Sequence, residues 1–131
     1  MSLEVLTPDL GEVPVFPVTP LDVYDWKDGV LIRTPNWLGD IVLTLPAMMA
    51  LRKILPEKCG IFVACPKVFE PLFQALPGLA DRIVGLRDAH RFPSLFEFNC
   101  IRGLYAGAGI LFNNSFRDAL WMRAALVPRL Y

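Results

Sequence analysis

The sequence predicts one α/β domain, in which helices cover both faces of a parallel β-sheet. Three observations lead to this prediction. The chain has 131 residues, which is room for a single domain of ordinary size. Hydrophobic residues make up 54% of it, so a substantial core is available. Short apolar runs of strand length alternate with helix-length segments, which is typical of parallel strands joined by right-handed helical crossovers.

Residues 1–28 are predicted to be an extended, acidic arm that precedes the domain. Four prolines in this segment oppose both helices and central strands. The arm has six acidic residues and one lysine, a net charge of −5, whereas residues 29–131 have twelve basic and seven acidic residues, a net charge of +5. We expect part of the arm to lie against the basic domain through Val15, Phe16 and Val18.

The domain of residues 29–131 is predicted to hold five strands and four helices. The strands are expected at residues 29–33, 60–64, 82–86 and 109–112, with a fifth beginning at residue 129. The helices are expected at residues 41–55, 67–76, about 94–105 and 116–126, several of them ended by proline. This alternation predicts a Rossmann-like fold, with ligands at the carboxyl ends of the strands.

Two helix starts and one helix face are predicted from side-chain chemistry. Asp40 stands where an N-cap would open the first helix, and Ser115 or Asn114 is expected to cap the last one. On the last helix, apolar positions alternate with charged ones. The apolar positions are Ala119, Leu120, Met122, Ala124 and Leu126, and the charged ones are Arg117, Asp118 and Arg123.

Several function classes lack their sequence signals. No glycine fingerprint for dinucleotides follows a strand, and no Walker A sequence occurs. The three cysteines form no CxxC pair and there is one histidine, so we expect reduced structural thiols and no metal site. Scattered basic residues do not indicate nucleic acid. Without an apolar stretch of transmembrane length or a signal peptide, we expect a cytoplasmic protein.

Two loops are expected to form the ligand-binding edge. Residues 34–40 and 113–117 both follow strands, so the parallel sheet should bring them to one rim. Helix N-termini at both loops offer N–H groups to an anion. The positive domain suits an anionic small ligand or an acidic membrane surface, and an ordinary solvated surface is the alternative reading.

The sequence RTPNWLGDIVLTLPA, which begins at Arg33, resembles the first strand, loop and helix of family 9 glycosyltransferases, the bacterial lipopolysaccharide heptosyltransferases. The sequence LFNNSFR, which ends at Arg117, resembles the later Asn-Ser-Phe loop of that family. The resemblance covers residues 29–131 and is strongest over 30–56 and 110–129. It implies the N-terminal domain of a GT-B enzyme, which consists of two Rossmann-like domains.

The resemblance also implies a reaction and its participants. The family transfers heptose from ADP-heptose, with inversion and without a metal, to the lipopolysaccharide inner core. The implied donor is ADP-heptose, bound mainly by a C-terminal domain, with no cofactor. The implied acceptor is a lipid-linked anionic core oligosaccharide, reached peripherally at the inner face of the inner membrane. We favour truncation at Tyr131 and expect the 131 residues alone to be inactive. Which core sugar is accepted and the oligomeric state are left open.

The resemblance assigns roles to eight residues. Asp40 matches the aspartate that is the proposed general base of the family, and helix capping is its alternative reading. The expected acceptor contacts are Thr34, Asn36, Trp37, Gly39, Asn114, Ser115 and Arg117. Trp37 either stacks on a sugar or anchors the loop in the core. Gly39 permits a tight turn or close substrate approach. Arg117 either binds the acceptor or is a solvated helix residue.

Two other function classes stay open at this point. One is a non-catalytic Rossmann-like module that binds an anionic glycan or lipid. The other is a flavodoxin-like regulatory domain, which would bind no sugar acceptor.

Overall fold

The computed structural model describes residues 26–131. The predicted arm therefore lies almost entirely outside the described residues, and so does its expected contact through Val15, Phe16 and Val18. The described strands are β1 (Gly29–Arg33), β2 (Gly60–Pro66), β3 (Arg82–Leu86), β4 (Ala108–Leu111) and β5 (Arg129–Leu130). The helices are α1 (Leu38–Ile54), α2 (Glu70–Gln74), α3 (Leu95–Arg102) and α4 (Phe116–Ala124), and a 3₁₀ turn over Lys67–Phe69 leads into α2.

The five strands form one parallel sheet in the order β3-β2-β1-β4-β5. The central strand, β1, is buried along its whole length, as its unbroken apolar sequence predicts for a strand covered on both faces. It begins at Gly29, where φ is 152° and a Cβ atom would collide with the carbonyl oxygen of Gly60 on β2. Glycine is therefore required at the point where these two chains meet.

Each face of the sheet carries its own hydrophobic cluster. Val30 and Ile32 of β1 pack on one face with Ile41 and Met48 of α1. Leu31 points to the opposite face, where it belongs to a cluster with residues of α3 and α4 such as Ile101, Trp121 and Met122. Successive side chains of a strand point to opposite faces, so Arg33 shares the α4 side with Leu31.

The strand order creates a crevice between β1 and β4. The chain moves outward from β1 through β2 to β3 and then crosses back to place β4 on the other side of β1. Connections leave β1 and β4 in opposite directions, which is the arrangement that opens a ligand crevice at the carboxyl ends of strands. The loops predicted to bind the ligand both lie at this position.

The predicted α/β class, the parallel sheet and all five strands are confirmed. The start of the first helix differs: α1 begins at Leu38, its N-cap is Trp37, and no side chain caps it. The prediction that Asp40 is the N-cap is therefore wrong, because Leu38 and Gly39 continue the helix and Asp40 becomes its third residue. Pro46 lies inside the 17-residue α1. Ser115 does cap α4, accepting a hydrogen bond from the amide of Asp118 at 3.2 Å.

The end of α4 holds a leucine in a conformation that favours glycine. The amide of Leu126 donates to Arg123 O and that of Val127 to Met122 O, the bonds of a Schellman motif, and φ of Leu126 is 66°. Leu126→Gly should raise the free energy of unfolding by about 1 kcal/mol, measured by urea denaturation, because the left-handed region costs residues with a Cβ atom about that much. Leu120→Gly is the matched control inside the same helix and should lower it by about 1 kcal/mol. Destabilisation by both changes would contradict this account.

Candidate functional site

Three loops follow strands at the carboxyl edge of the sheet near the crevice. They are residues 34–37 after β1, 87–94 after β3 and 112–115 after β4. The first and last contain sequence-predicted site residues. A single network of charged side chains connects all three loops.

The centre of this network is a buried ion pair between Arg33, the last residue of β1, and Asp118 in the first turn of α4. Their side chains are 0% and 1% exposed, and Nε of Arg33 lies 3.0 Å from Oδ2 of Asp118. This is an ionic contact without hydrogen-bond alignment, since Nε finds no hydrogen-bond partner within residues 26–131. The other guanidinium nitrogens donate to Thr34 O at 2.5 Å, Asn36 Oδ1 at 2.7 Å and Ala89 O at 3.3 Å.

Asp118 accepts hydrogen bonds from three other side chains. Trp121 Nε1 donates to its Oδ1 at 2.9 Å, and Asn113 Nδ2 donates to its Oδ2. Arg117 contacts Oδ1 through Nε at 3.4 Å and through Nη2 at 3.3 Å. The carboxylate is thus surrounded by donors, as a buried charge must be if it is to remain stable away from water.

Arg117 extends the network to the loop of residues 87–94. Its Nη2 donates to Ala89 O at 2.9 Å, and its Nη1 donates to His90 O. Ala89 O therefore receives hydrogen bonds from both Arg117 and Arg33. Two arginines share one aspartate, so the cluster carries a formal charge of +1.

Burial shifts the acid–base properties of two groups beside this network. Burial lowers the pKa of Arg33, and the neighbouring charge of Arg117 lowers it further, while Asp118 acts in the opposite direction. Burial and the charge of Glu70 raise the pKa of the Cys65 thiol to about 12, against a weaker lowering by Arg33. Cys59 and Cys65 are buried, Cys100 is half-buried, and none of the three is paired with another cysteine within residues 26–131.

Four of the predicted site residues lie between residues 36 and 40, at the end of the loop before α1 and in the first turn of that helix. Trp37 is 70% exposed, so the alternative that it anchors the loop in the core is wrong. Asp40 is exposed in the first turn of the helix. Gly39 is the second residue of α1, and a Cβ atom at this position would meet nothing within 4 Å. The tight-turn explanation of Gly39 is therefore wrong. Asn36 is half-buried and held by Arg33.

The other four predicted site residues, Thr34, Asn114, Ser115 and Arg117, range from fully buried to exposed. Thr34 is fully buried, and its hydroxyl donates to Pro35 O at 3.1 Å. Asn114 is exposed, and Ser115 is half-buried with its hydroxyl on the start of α4. The donors of Arg117 are directed to Ala89, His90 and Asp118. The prediction that Arg117 is only a solvated residue is therefore wrong.

Sequence reasoning missed Arg33, Asp118 and the loop of residues 87–94. One signal was available for Arg33, because period-2 alternation along β1 places it on the same buried face as Leu31. A cation at such a position needs a buried anion, and Asp118 in the first turn of α4 is the partner. No local pattern in residues 87–94 indicates their contact with α4.

The described residues add two observations on metals and membranes. Within residues 26–131, no group of three or more His, Cys, Asp or Glu side chains is arranged to hold a metal ion. None of the described helices has the length and apolar character needed to cross a membrane.

A cavity of about 710 Å³ lies along β3 and is lined by residues such as Lys67, Glu70, Arg82 and Asn99. None of the predicted site residues lines it, so we place the candidate site at the crevice.

The domain defined by this sheet and crevice belongs to the Rossmann-like α/β class. A solved structure with the same fold is that of the E. coli ADP-heptose LPS heptosyltransferase II, a glycosyltransferase by its name. The present chain matches that structure with a TM-score of 0.64 over 78% of its residues. The two sequences are 22% identical, and this chain covers 29% of the length of that one. This likeness confirms the predicted fold. No family model and no curated protein matches the sequence.

The burial of the central ion pair predicts a large effect of its removal. Asp118→Ala should lower the free energy of unfolding by about 3–5 kcal/mol, because it leaves the charge of Arg33 buried without its partner. Arg91→Ala breaks the exposed ion pair with Asp88, whose nitrogen and oxygen are 3.4 Å apart, and should cost about 1 kcal/mol or less. Chemical denaturation measures both. Equal losses would show that the buried pair does not stabilise the domain.

Proposed function

We propose that residues 29–131 form the acceptor-side domain of an inverting bacterial glycosyltransferase, which transfers heptose from ADP-heptose to the lipopolysaccharide inner core. One observation carries this proposal: the two stretches that resemble the heptosyltransferase motifs meet at the crevice of a sheet with the fold of a solved heptosyltransferase. Motifs far apart in sequence are thus adjacent where such sheets bind ligands.

The proposal assigns the two substrates to different domains. This chain spans 29% of the solved heptosyltransferase, so a second, donor-side domain is proposed to bind most of ADP-heptose. No cofactor or metal is proposed to take part. The lipid-linked acceptor would bring the enzyme to the cytoplasmic face of the inner membrane as a peripheral protein.

Asp40 is the proposed general base. The hydroxyl of the acceptor sugar is a weak nucleophile until its proton leaves, and a carboxylate within hydrogen-bond reach accepts that proton as the new bond forms. The acceptor oxygen then attacks the anomeric carbon of the heptose from the side opposite ADP, which departs with the bonding electrons. Asp40 is exposed at the start of α1, beside the crevice, where a substrate can reach it.

The acceptor is proposed to lie along the same edge. Trp37 offers an exposed ring on which a sugar can stack, and Asn36 and Asn114 offer amide groups for its hydroxyls. Lys67 follows β2 and Arg87 follows β3, and both are exposed. These cations support an anionic acceptor, whose carboxylates or phosphates they attract.

Binding of an anionic acceptor is directly testable with the 131-residue chain. A phosphorylated Kdo-containing core fragment should shift the amide NMR signals of residues 34–40 and 113–117. Binding should weaken with salt, because the screening length falls from about 10 Å at 0.1 M to about 3 Å at 1 M. A neutral sugar of the same size is the control and should bind more weakly. Shifts elsewhere, or equal binding of the neutral sugar, would refute the proposed edge.

The catalytic role of Asp40 requires a chain that includes the donor domain. Asp40→Asn should lower kcat by about 10²-fold or more with little change in melting temperature, because an amide cannot accept the proton. Glu57→Gln, an exposed carboxylate in the loop between α1 and β2, is the matched control and should leave kcat unchanged. Near wild-type turnover of Asp40→Asn would exclude Asp40 as the base. Acceptor binding without transfer by the unmodified enzyme would favour a non-catalytic binding module.

A further inference from the structure

The loop of residues 87–94 connects β3 to α3 and also contacts the end of β1 and the start of α4. It leaves β3, the outermost strand on one side, yet Ala89 O accepts hydrogen bonds from Arg33 at the end of β1 and from Arg117 on α4. Neighbouring strands lie about 4.8 Å apart and β2 separates β3 from β1, so the loop and the side chain of Arg33 together span roughly 10 Å. Ala89 therefore lies close to the side chain that ends β1 and to the first turn of α4.

The base of this loop is closed by one carboxylate. Glu97 accepts from the amide of Arg87 at 2.6 Å and from that of Ser94 at 2.7 Å, and the Ser94 hydroxyl caps α3 in return. Asp88 Oδ1 accepts from the amide of His90 at 3.0 Å. The two ends of the loop are thus held together, and its shape is partly fixed.

The far side of the loop is held by arginine side chains. Arg117 donates to the carbonyl oxygens of Ala89 and His90, and Arg33 donates to that of Ala89. Each guanidinium nitrogen of Arg117 already contacts an oxygen of the protein, so in this arrangement it holds the chain in place more readily than it contacts a ligand.

The loop places a cation and an aromatic ring in solvent. Arg91 has an 84% exposed side chain, 3.4 Å from Asp88, and Phe92 is 58% exposed. An exposed ring face and a guanidinium are the groups that recognise a sugar bearing a carboxylate or phosphate.

We infer that residues 87–94 form a third wall of the acceptor site, with Arg91 and Phe92 facing an anionic sugar, and that Arg117 is the positioning residue that holds this wall. The identity of the ligand rests on the proposed function. The hold of Arg117 on the loop does not.

The test uses the 131-residue chain and two matched variants of α4. Arg117→Met removes the hydrogen bonds to Ala89 and His90 and also the contact with Asp118. Arg123→Met is the control: it removes the same charge and a hydrogen bond to another backbone carbonyl, that of Pro128, at the other end of the helix. Amide NMR without ligand reports the loop, thermal melting reports folding, and titration with the phosphorylated Kdo-containing fragment gives Kd.

Arg117→Met should shift the amides of residues 88–92 and raise Kd on the order of tenfold, a usual size for coupling between two parts of a protein. Arg123→Met should do neither. Arg117→Lys, which keeps the charge and one donor group, should recover part of the affinity, and it serves as the second variant if Arg117→Met does not fold. Phe92→Ser should raise Kd on the order of tenfold, the loss expected for a directly contacting aromatic ring, without moving the amides of residues 89 and 90.

Three results would overturn the inference. If the amide NMR signals of residues 88–92 do not shift in Arg117→Met, Arg117 does not position the loop. A higher Kd in Arg117→Met together with an unchanged Kd in Phe92→Ser would make Arg117 a direct acceptor contact. If these amide signals shift in Arg117→Met while the Kd of the fragment is unchanged, the loop lies outside the acceptor site. If the unmodified chain binds no fragment, the proposed acceptor and the wall fail together, while the amide shifts still decide the role of Arg117.

Discussion

The ion pair between Arg33 and Asp118 is the interaction on which the candidate site at the carboxyl edge of the sheet depends. Placing a guanidinium at the end of a fully buried strand is costly unless an anion meets it, because the lost hydration must be replaced by contacts with the protein. The partner is in the first turn of α4, so the sequence of β1 fixes where α4 must begin. The ion pair therefore connects β1 to α4, the helix that follows β4, beside the crevice between the two strands.

The geometry of the two side chains explains why one pair organises three loops. A carboxylate can accept several hydrogen bonds and a guanidinium can donate five. Asp118 uses this capacity on Trp121, Asn113 and Arg117, and Arg33 uses it on Thr34, Asn36 and Ala89. If either side chain were removed, the charge of the other would remain buried without a partner. The contacts of both side chains therefore hold the three loops in place. Such preorganisation is what a substrate-binding edge needs from its scaffold.

The sequence was informative where local chemistry decides the structure and silent where tertiary contacts decide it. The β-branched run before Arg33 and the prolines between segments were enough to predict the strands, and the two motif-bearing loops were correctly assigned to one edge. Periodicity did not separate the faces of α4, since Leu120 is 50% exposed and Asp118 is 1% exposed. Asp118 is buried because it pairs with Arg33. Arg33 lies 85 residues earlier in the chain, so no local pattern in α4 indicates this pairing.

The same network bears on which acid is suited to proton transfer. Asp118 and Asp40 both lie in the first turn of a helix that starts at the crevice. Donors surround Asp118 and leave 1% of its side chain exposed, so no acceptor hydroxyl can come within the roughly 3 Å that proton transfer requires. Asp40 is exposed. The structure thus divides two similar residues between two tasks: the buried carboxylate holds the loops in place, and the exposed one is accessible to substrate, which supports Asp40 as the proposed base.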